Sequence, residues 1–308
     1  MIPLPPLLRG VIPPMITPLA EPDALDREGL ERLVEHILKG GVHGLFILGT
    51  TGEGPSLSYC LRRELISAVC QQVADRVPVL VAITDSAFVE SVTIGQHALE
   101  AGASALVAAP PPYFSTSQEE LLGYFRRLAS AVPLPLLLYN MPTHTKVFIE
   151  AETVRAAADV PGIVGLKDSS GNMTYFHMAR ALVGERPDFS FLVGPEELLA
   201  ETILLGGHGG VNGGANLAPE LYVGLYDAAC REDLAQVRLL HQKIIQLSRL
   251  LYSVGGRGSS MLSGLKCALN LQGICRDGMA EPFVSFGPKE RGIIKQRLEE
   301  LQLSCLSE

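Results

Sequence analysis

Eight short apolar runs, each followed by a turn and a helix-length segment, constrain the fold of this chain more than any other feature. Seven lie at 11–18, 44–51, 77–84, 105–112, 134–140, 162–168 and 189–194, and a weaker eighth begins at Gly209. Such runs, bounded by Gly, Pro, Asn and Asp, read as buried strands. Their starts lie 20 to 33 residues apart, near the roughly 30 residues that a strand, a crossover helix and their loops occupy. Between the first two runs, Leu30, Leu33, Val34, Ile37 and Leu38 fall on the stripe of a helix lying against a sheet. Eight β/α units in series predict an α/β fold, a (β/α)8 TIM barrel. The rival is an open doubly wound sheet, but the glycine-rich turn such sheets carry after their first strand is missing after 11–18.

Strand signals stop near residue 225. The remainder, with helix-like segments at 232–252 and 288–303 around the break Gly255-Gly256-Arg257-Gly258, predicts a helical extension. The expected division is therefore a barrel over 1–230 and a C-terminal helical extension over 231–308, packed on the barrel.

With 308 residues, 47% of them hydrophobic and 19% charged, the chain can bury a large core. No apolar stretch approaches the roughly 18 residues of a membrane span, and the first residues lack the basic segment of a secretory signal. A cytoplasmic protein without a membrane partner is expected. Cys60, Cys70, Cys230, Cys267, Cys275 and Cys305 form no Cys-x-x-Cys pair, which disfavours a disulfide framework and a thiolate zinc site. A net charge of −8 repels phosphate backbones and argues against nucleic acid. Small molecules are the expected partners.

Lys167 closes the apolar run 162–167 and is followed at once by the polar turn Asp168-Ser169-Ser170-Gly171. A lysine at the carboxyl end of a barrel strand faces the mouth where such folds put their chemistry. Desolvation there disfavours the ammonium and leaves an amine able to attack a carbonyl. The plainer alternative is a lysine that extends into solvent. Two other strand ends are polar. Gly49-Thr50-Thr51-Gly52-Glu53-Gly54 combines close backbone approach with hydroxyls that can hold a carboxylate. Tyr139, in Leu138-Tyr139-Asn140-Met141-Pro142, is either a proton shuttle or an aromatic cap on the core.

Together, Gly49-Thr50-Thr51-Gly52-Glu53, Tyr139-Asn140 with Pro142, and Gly165-Leu166-Lys167-Asp168-Ser169-Ser170-Gly171 resemble the dihydrodipicolinate synthase and N-acetylneuraminate lyase superfamily of pyruvate-dependent class I aldolases. The resemblance runs over nearly the whole chain. It implies a barrel with a helical extension, assembled as a homotetramer or homodimer. It also implies Lys167 as Schiff-base lysine, Tyr139 as proton-transferring phenol, and Thr50 and Thr51 as hydroxyls that bind carboxylate and orient the tyrosine, with Gly49 in the same loop. Tyr113, in Pro111-Pro112-Tyr113-Phe114, resembles the tyrosine lent to a neighbouring subunit, and packing is its alternative role. The chemistry is covalent and calls for no cofactor and no metal. The seven histidines form no His-x-His or Glu-x-x-His pair, which disfavours a zinc-dependent aldolase.

For the second substrate, His144 stands where dihydrodipicolinate synthases usually carry an arginine. Imidazole lacks the bidentate fork for an aspartate semialdehyde carboxylate. Gly194-Pro195-Glu196-Glu197 resembles the place where sialic acid lyases hold sugar hydroxyls with acidic residues, Glu197 being the candidate, although Pro-Glu-Glu is also a good helix start. Gly213 takes the place of a serine in those lyases. The expected substrates are thus a 2-oxo acid and an aldehyde, combined in a 2-oxo-3-deoxy sugar acid or a related hydroxylated acid. True 4-hydroxy-tetrahydrodipicolinate synthesis is the alternative, and a non-catalytic 2-oxo acid sensor the third. The run Gly206-Gly207-His208-Gly209-Gly210-Val211-Asn212-Gly213-Gly214 raises phosphate binding, but holds no Lys or Arg.

Overall fold

The computed structural model describes residues 4, 5 and 7–303. Cys305 and the first three residues lie outside them. A strand forms in or at the start of each apolar run: Gly10–Val11 (β1), Leu45–Ile47 (β2), Val79–Ala82 (β3), Ala105–Ala108 (β4), Leu136–Asn140 (β5), Ile163–Asp168 (β6), Ser190–Val193 (β7) and Gly209–Gly210 (β8). The first run is trimmed most, because Pro13, Pro14 and Pro18 have no N–H to give to a ladder.

All eight strands are parallel, in the order β1-β8-β7-β6-β5-β4-β3-β2. That order follows the chain without reversal, so there is no switch point and the doubly wound alternative falls. The sheet curls until its edges meet. The His43 N–H donates to the Val11 carbonyl at 2.9 Å, Phe46 N–H to Pro13 at 3.0 Å and Met15 N–H to Phe46 at 2.8 Å, with a parallel bridge between Pro14 and Phe46. Asn216 reinforces the seam by accepting from Ile16 N–H at 3.0 Å and donating to the Pro14 carbonyl at 2.9 Å.

Helices Arg27–Lys39 (α1), Tyr59–Val73 (α2), Phe88–Ala101 (α3), Gln118–Ala131 (α4), Ala151–Ala157 (α5), Met173–Val183 (α6), Leu199–Leu204 (α7) and Pro219–Cys230 (α8) separate or follow the strands. Side-chain caps start several of them, as Asp26 does for α1 and the Ser117–Glu120 capping box does for α4. On α1, Leu30, Leu33, Val34 and Ile37 are buried and Leu38 half-buried, as the stripe predicts.

Strand alternation divides the core. Leu80, Val107, Leu137 and Leu192 pack inward with Ile12, Phe46 and Tyr139. Their neighbours Val81, Leu106, Leu138 and Leu166 pack outward against Leu33, Leu61, Ile94 and Leu128 of the helices.

After α8 come Leu234–Leu251 (α9), Ser260–Leu271 (α10) and Pro288–Glu300 (α11). Helix α10 is not foreseen from the sequence. It starts just past the glycine-rich break and is buried along most of its length, so it lacks the two-faced stripe that reveals a surface helix. Leu251, Leu265, Leu269, Ile294 and Leu298 share the outer core of the barrel. A small hairpin, Leu19–Glu21 with Ala24–Leu25, is also unforeseen.

Among the described residues, Cys60, Cys70, Cys230, Cys267 and Cys275 are free, and burial pushes the thiols of Cys70, Cys267 and Cys275 up to about 12. No described helix is long and apolar enough to cross a membrane.

Candidate active site

Lys167 pairs in register with Tyr139 on the adjacent strand. Because Leu166 packs outward, Lys167 turns into the barrel, where it is only 5% exposed. Its Nζ lies 3.9 Å from the centroid of the Tyr139 ring and 4.6 Å from that of Phe46. Burial lowers the Lys167 pKa from the usual lysine range, with the Tyr139 phenol opposing. The result is a buried amine in an aromatic corner, with no carboxylate paired to it among the described residues.

The loop after β2 is shaped around this corner. A Cβ on Gly49 would sit 2.5 Å from Cε1 of Phe46, so glycine is what allows that ring to lie over both the loop and the lysine. Leu48 and Glu53 take left-handed φ of 61° and 54°, an uncommon conformation for either residue. The chain folds back through Gly52 N–H and Gly54 N–H, which donate to the Gly49 carbonyl at 3.1 and 3.2 Å. Thr50 Oγ1 then lies 3.3 Å from the Tyr139 hydroxyl, and Thr51 is buried beside it.

Behind the lysine, Asn140 and Asp168 lock β5 to β6. Asn140 Nδ2 donates to Asp168 Oδ1 at 2.8 Å, and Asn140 Oδ1 accepts from Ile149 N–H at 3.1 Å. Asp168 Oδ2 accepts from Ser170 Oγ at 2.9 Å. Burial raises the Asp168 pKa, and these hydrogen bonds oppose it.

The loops after β7 and β8 are tied together from below. Gly194 faces Ser169, and a side chain there would collide with the serine hydroxyl. Glu196 is buried, accepting from Tyr222 Oη and from Gly214 N–H, each at 2.8 Å, and burial pushes its carboxyl up to about 7. The Glu197 carboxylate accepts from Ser248 Oγ at 2.5 Å, so this glutamate reaches toward α9. Gly213 is covered by the end of the Met261 side chain.

His144 Nδ1 lies 3.0 Å from Thr143 Oγ1, and burial followed by Lys146 lowers its pKa, so the ring is neutral at pH 7. Lys146 donates to the Thr143 carbonyl at 2.7 Å. Tyr113 stands apart from the cluster: it is 91% exposed, with φ of 87°, and stacks edge-on with Phe114.

Sequence reasoning thus brings Lys167, Tyr139, Thr50 and Thr51 to one mouth. It passes over Phe46, Asn140 and Asp168 as parts of the site. The strand alternation that turns Phe46 inward was a signal for the first of these. The buried Asn140–Asp168 pair has none, because both residues read as turn-formers.

The model of the dihydrodipicolinate synthetase family matches residues 7–301. The chain belongs to that family. It is 54% identical to a solved structure of dihydrodipicolinate synthase from Bacteroides thetaiotaomicron, covering 95% of this chain and 98% of the other with a TM-score of 0.93. It is 30% identical to YagE, an Escherichia coli K12 protein of the dihydrodipicolinic acid synthase family solved with pyruvate, covering 96% and 99% with a TM-score of 0.90. Over 240 residues it is 36% identical to the probable 2-dehydro-3-deoxy-D-pentonate aldolase YjhH of Escherichia coli, covering 77% of this chain and 80% of that one. The curled parallel sheet is accordingly a TIM barrel. The protein is a pyruvate-dependent carbon–carbon lyase of the dihydrodipicolinate synthetase family, whose members act through a Schiff base.

Proposed function

We propose that Lys167 forms the imine, and that the substrate is a 2-oxo-3-deoxy sugar acid or a related hydroxylated 2-oxo acid. The burial of the Lys167 amine against Tyr139 and Phe46 carries the first part. The neutral amine attacks the ketone carbon, and loss of water gives a protonated imine that accepts the electrons of the next bond to break. In the cleavage direction, Tyr139, left as a phenolate after giving its proton to the departing water, takes the proton of the C4 hydroxyl as the C3–C4 bond breaks. The aldehyde leaves and an enamine remains. Protonation at C3 and hydrolysis return pyruvate and the free amine. Gly49, Thr50 and Thr51 hold the acid's carboxylate, which keeps the ketone beside Nζ.

His144 supports a polyol over a second carboxylate, since a neutral imidazole cannot make the bidentate contact an arginine would. Gly194 and Gly213 border the polyol, and Glu197 exchanges its Ser248 partner for a substrate hydroxyl. The likeness to the pentonate aldolase agrees with this reading. The 54% identity to a dihydrodipicolinate synthase favours the alternative, condensation of pyruvate with aspartate semialdehyde. A sensor that binds without turnover is the third reading, and the Thr50–Tyr139 contact speaks against it.

The exposure of Tyr113 supports its being lent to a neighbouring subunit in a homodimer or homotetramer. The proposed division is a barrel over 1–230 and a helical extension over 231–308. Free cysteines with raised pKa suit the cytoplasm, where thiols stay reduced. A panel of hydroxylated 2-oxo acids, assayed for released pyruvate beside pyruvate with aspartate semialdehyde, tests the assignment. Faster turnover of the semialdehyde than of every sugar acid would overturn the substrate reading.

A further inference from the structure

The glycine run 206–214 spans the strand it feeds. Since Gly209–Gly210 is β8, Gly206, Gly207 and His208 lie at its amino end, on the face opposite the Lys167 mouth. There they border a cavity of about 670 Å³, together with Arg9 ahead of β1, Arg180 of α6 and Tyr226 of α8. That volume lies within the roughly 300–1,000 Å³ of small-molecule sites. The glycine run has no cation of its own, and the fold brings two to it from distant parts of the chain.

Arg180 lies directly on Gly206, whose φ of 87° and lack of a side chain leave room for the guanidinium. Among the described residues, neither Arg9 nor Arg180 is held by a hydrogen bond or an ion pair. Arg186, on the same wall, is already committed to Asp159 at 3.2 Å and Asp188 at 2.9 Å. Glu185 and Glu232 also border the cavity, are exposed, and pair with neither free arginine. His208 Nδ1 accepts from Phe191 N–H at 2.8 Å, which leaves its Nε2 as the donor in the neutral ring. Burial, then the charges of Arg9 and Arg180, press the His208 pKa down to about 4, so both cations face the same imidazole.

We propose that this cavity binds a small phosphorylated metabolite, its phosphate between Arg9 and Arg180 and its organic body against Tyr226. Two guanidinium forks suit a tetrahedral dianion with three strong acceptor oxygens, where a single carboxylate would occupy only one fork. The rest of the cavity is larger than the phosphate and has an aromatic wall.

Calorimetric titration of the full-length protein with ribose 5-phosphate, and separately with inorganic phosphate at matched ionic strength, tests this. Both are expected to bind saturably, ribose 5-phosphate the more tightly. The R9Q/R180Q double variant is expected to lose about tenfold or more in affinity for each, while still forming a pyruvyl adduct at the opposite mouth. The adduct shows that the variant is folded and separates this site from the lyase reading. Absence of saturable binding, equal binding by the double variant, or ribose 5-phosphate binding no more tightly than inorganic phosphate would overturn the proposal.

Discussion

Glu53 and Lys266 lie 213 residues apart and form an ion pair at 2.5 Å, with both side chains wholly excluded from solvent. Glu53 closes the Gly-Thr-Thr-Gly loop of the mouth, and Lys266 lies on α10. The lysine also donates to the Gly278 carbonyl at 2.6 Å. Helix α10 therefore holds the loop that carries Thr50 and Thr51. Substituting Lys266→Met leaves a buried carboxylate without its cation, and the expected loss is about 3–5 kcal/mol in denaturant unfolding. The E53Q/K266M double variant should recover part of that loss, because the uncompensated charge is gone. A single variant as stable as the wild type would show that the pair does not hold the loop.

The depressed Lys167 pKa has two consequences with worked signs. Imine formation needs the free amine, so its rate should rise with pH through a midpoint below the usual lysine value, and rapid-quench trapping across pH reads that midpoint. Between the folded and unfolded pKa values the unfolded chain holds more protons, so this lysine makes stability rise with pH. Substituting Lys167→Met should abolish the adduct and raise stability at pH 7 by about 1 kcal/mol. Loss of stability in that variant would contradict a desolvated amine.

Proton transfer by Tyr139 predicts that Tyr139→Phe lowers kcat by about 10²–10⁴-fold with a smaller change in KM. Thr50→Val removes the hydroxyl 3.3 Å from the phenol and should act in the same direction. Thr50→Ser should restore most of the rate. Steady-state kinetics on the best substrate of the panel separates the three.

Asn140→Ala strips partners from both Asp168 and Ile149 N–H in a buried place. A cost of about 1–3 kcal/mol is expected. Because Asp168 follows Lys167, adduct formation should slow as well. Thermal unfolding and the trapping rate, measured on one preparation, check the two effects together.

The barrel was legible in the sequence because apolar runs and amphipathic helices repeat at a nearly constant spacing, and each signal is local. The first strand was over-read at 11–18, since apolar character does not report the missing N–H groups of Pro13 and Pro14. Lys167, Tyr139 and Thr50 were readable as strand-end residues. Phe46, which covers the amine, was legible only as an inward-facing residue from strand alternation, because its place inside an apolar run marks it as core rather than as part of the site. Lys266 and Glu53 were illegible as a pair, because only the closed fold brings α10 to the β2 loop. The same holds for Arg9 and Arg180, which meet the glycine run only at the amino ends of the strands.

The central claim is that the Lys167 amine forms the imine. Borohydride reduction in the presence of pyruvate, followed by peptide mass spectrometry of the wild type and Lys167→Ala, tests it most directly. The account predicts a reduced pyruvyl adduct on the Lys167 peptide of the wild type and none anywhere in the variant. An adduct on another lysine, or no adduct on folded wild-type protein, would contradict it.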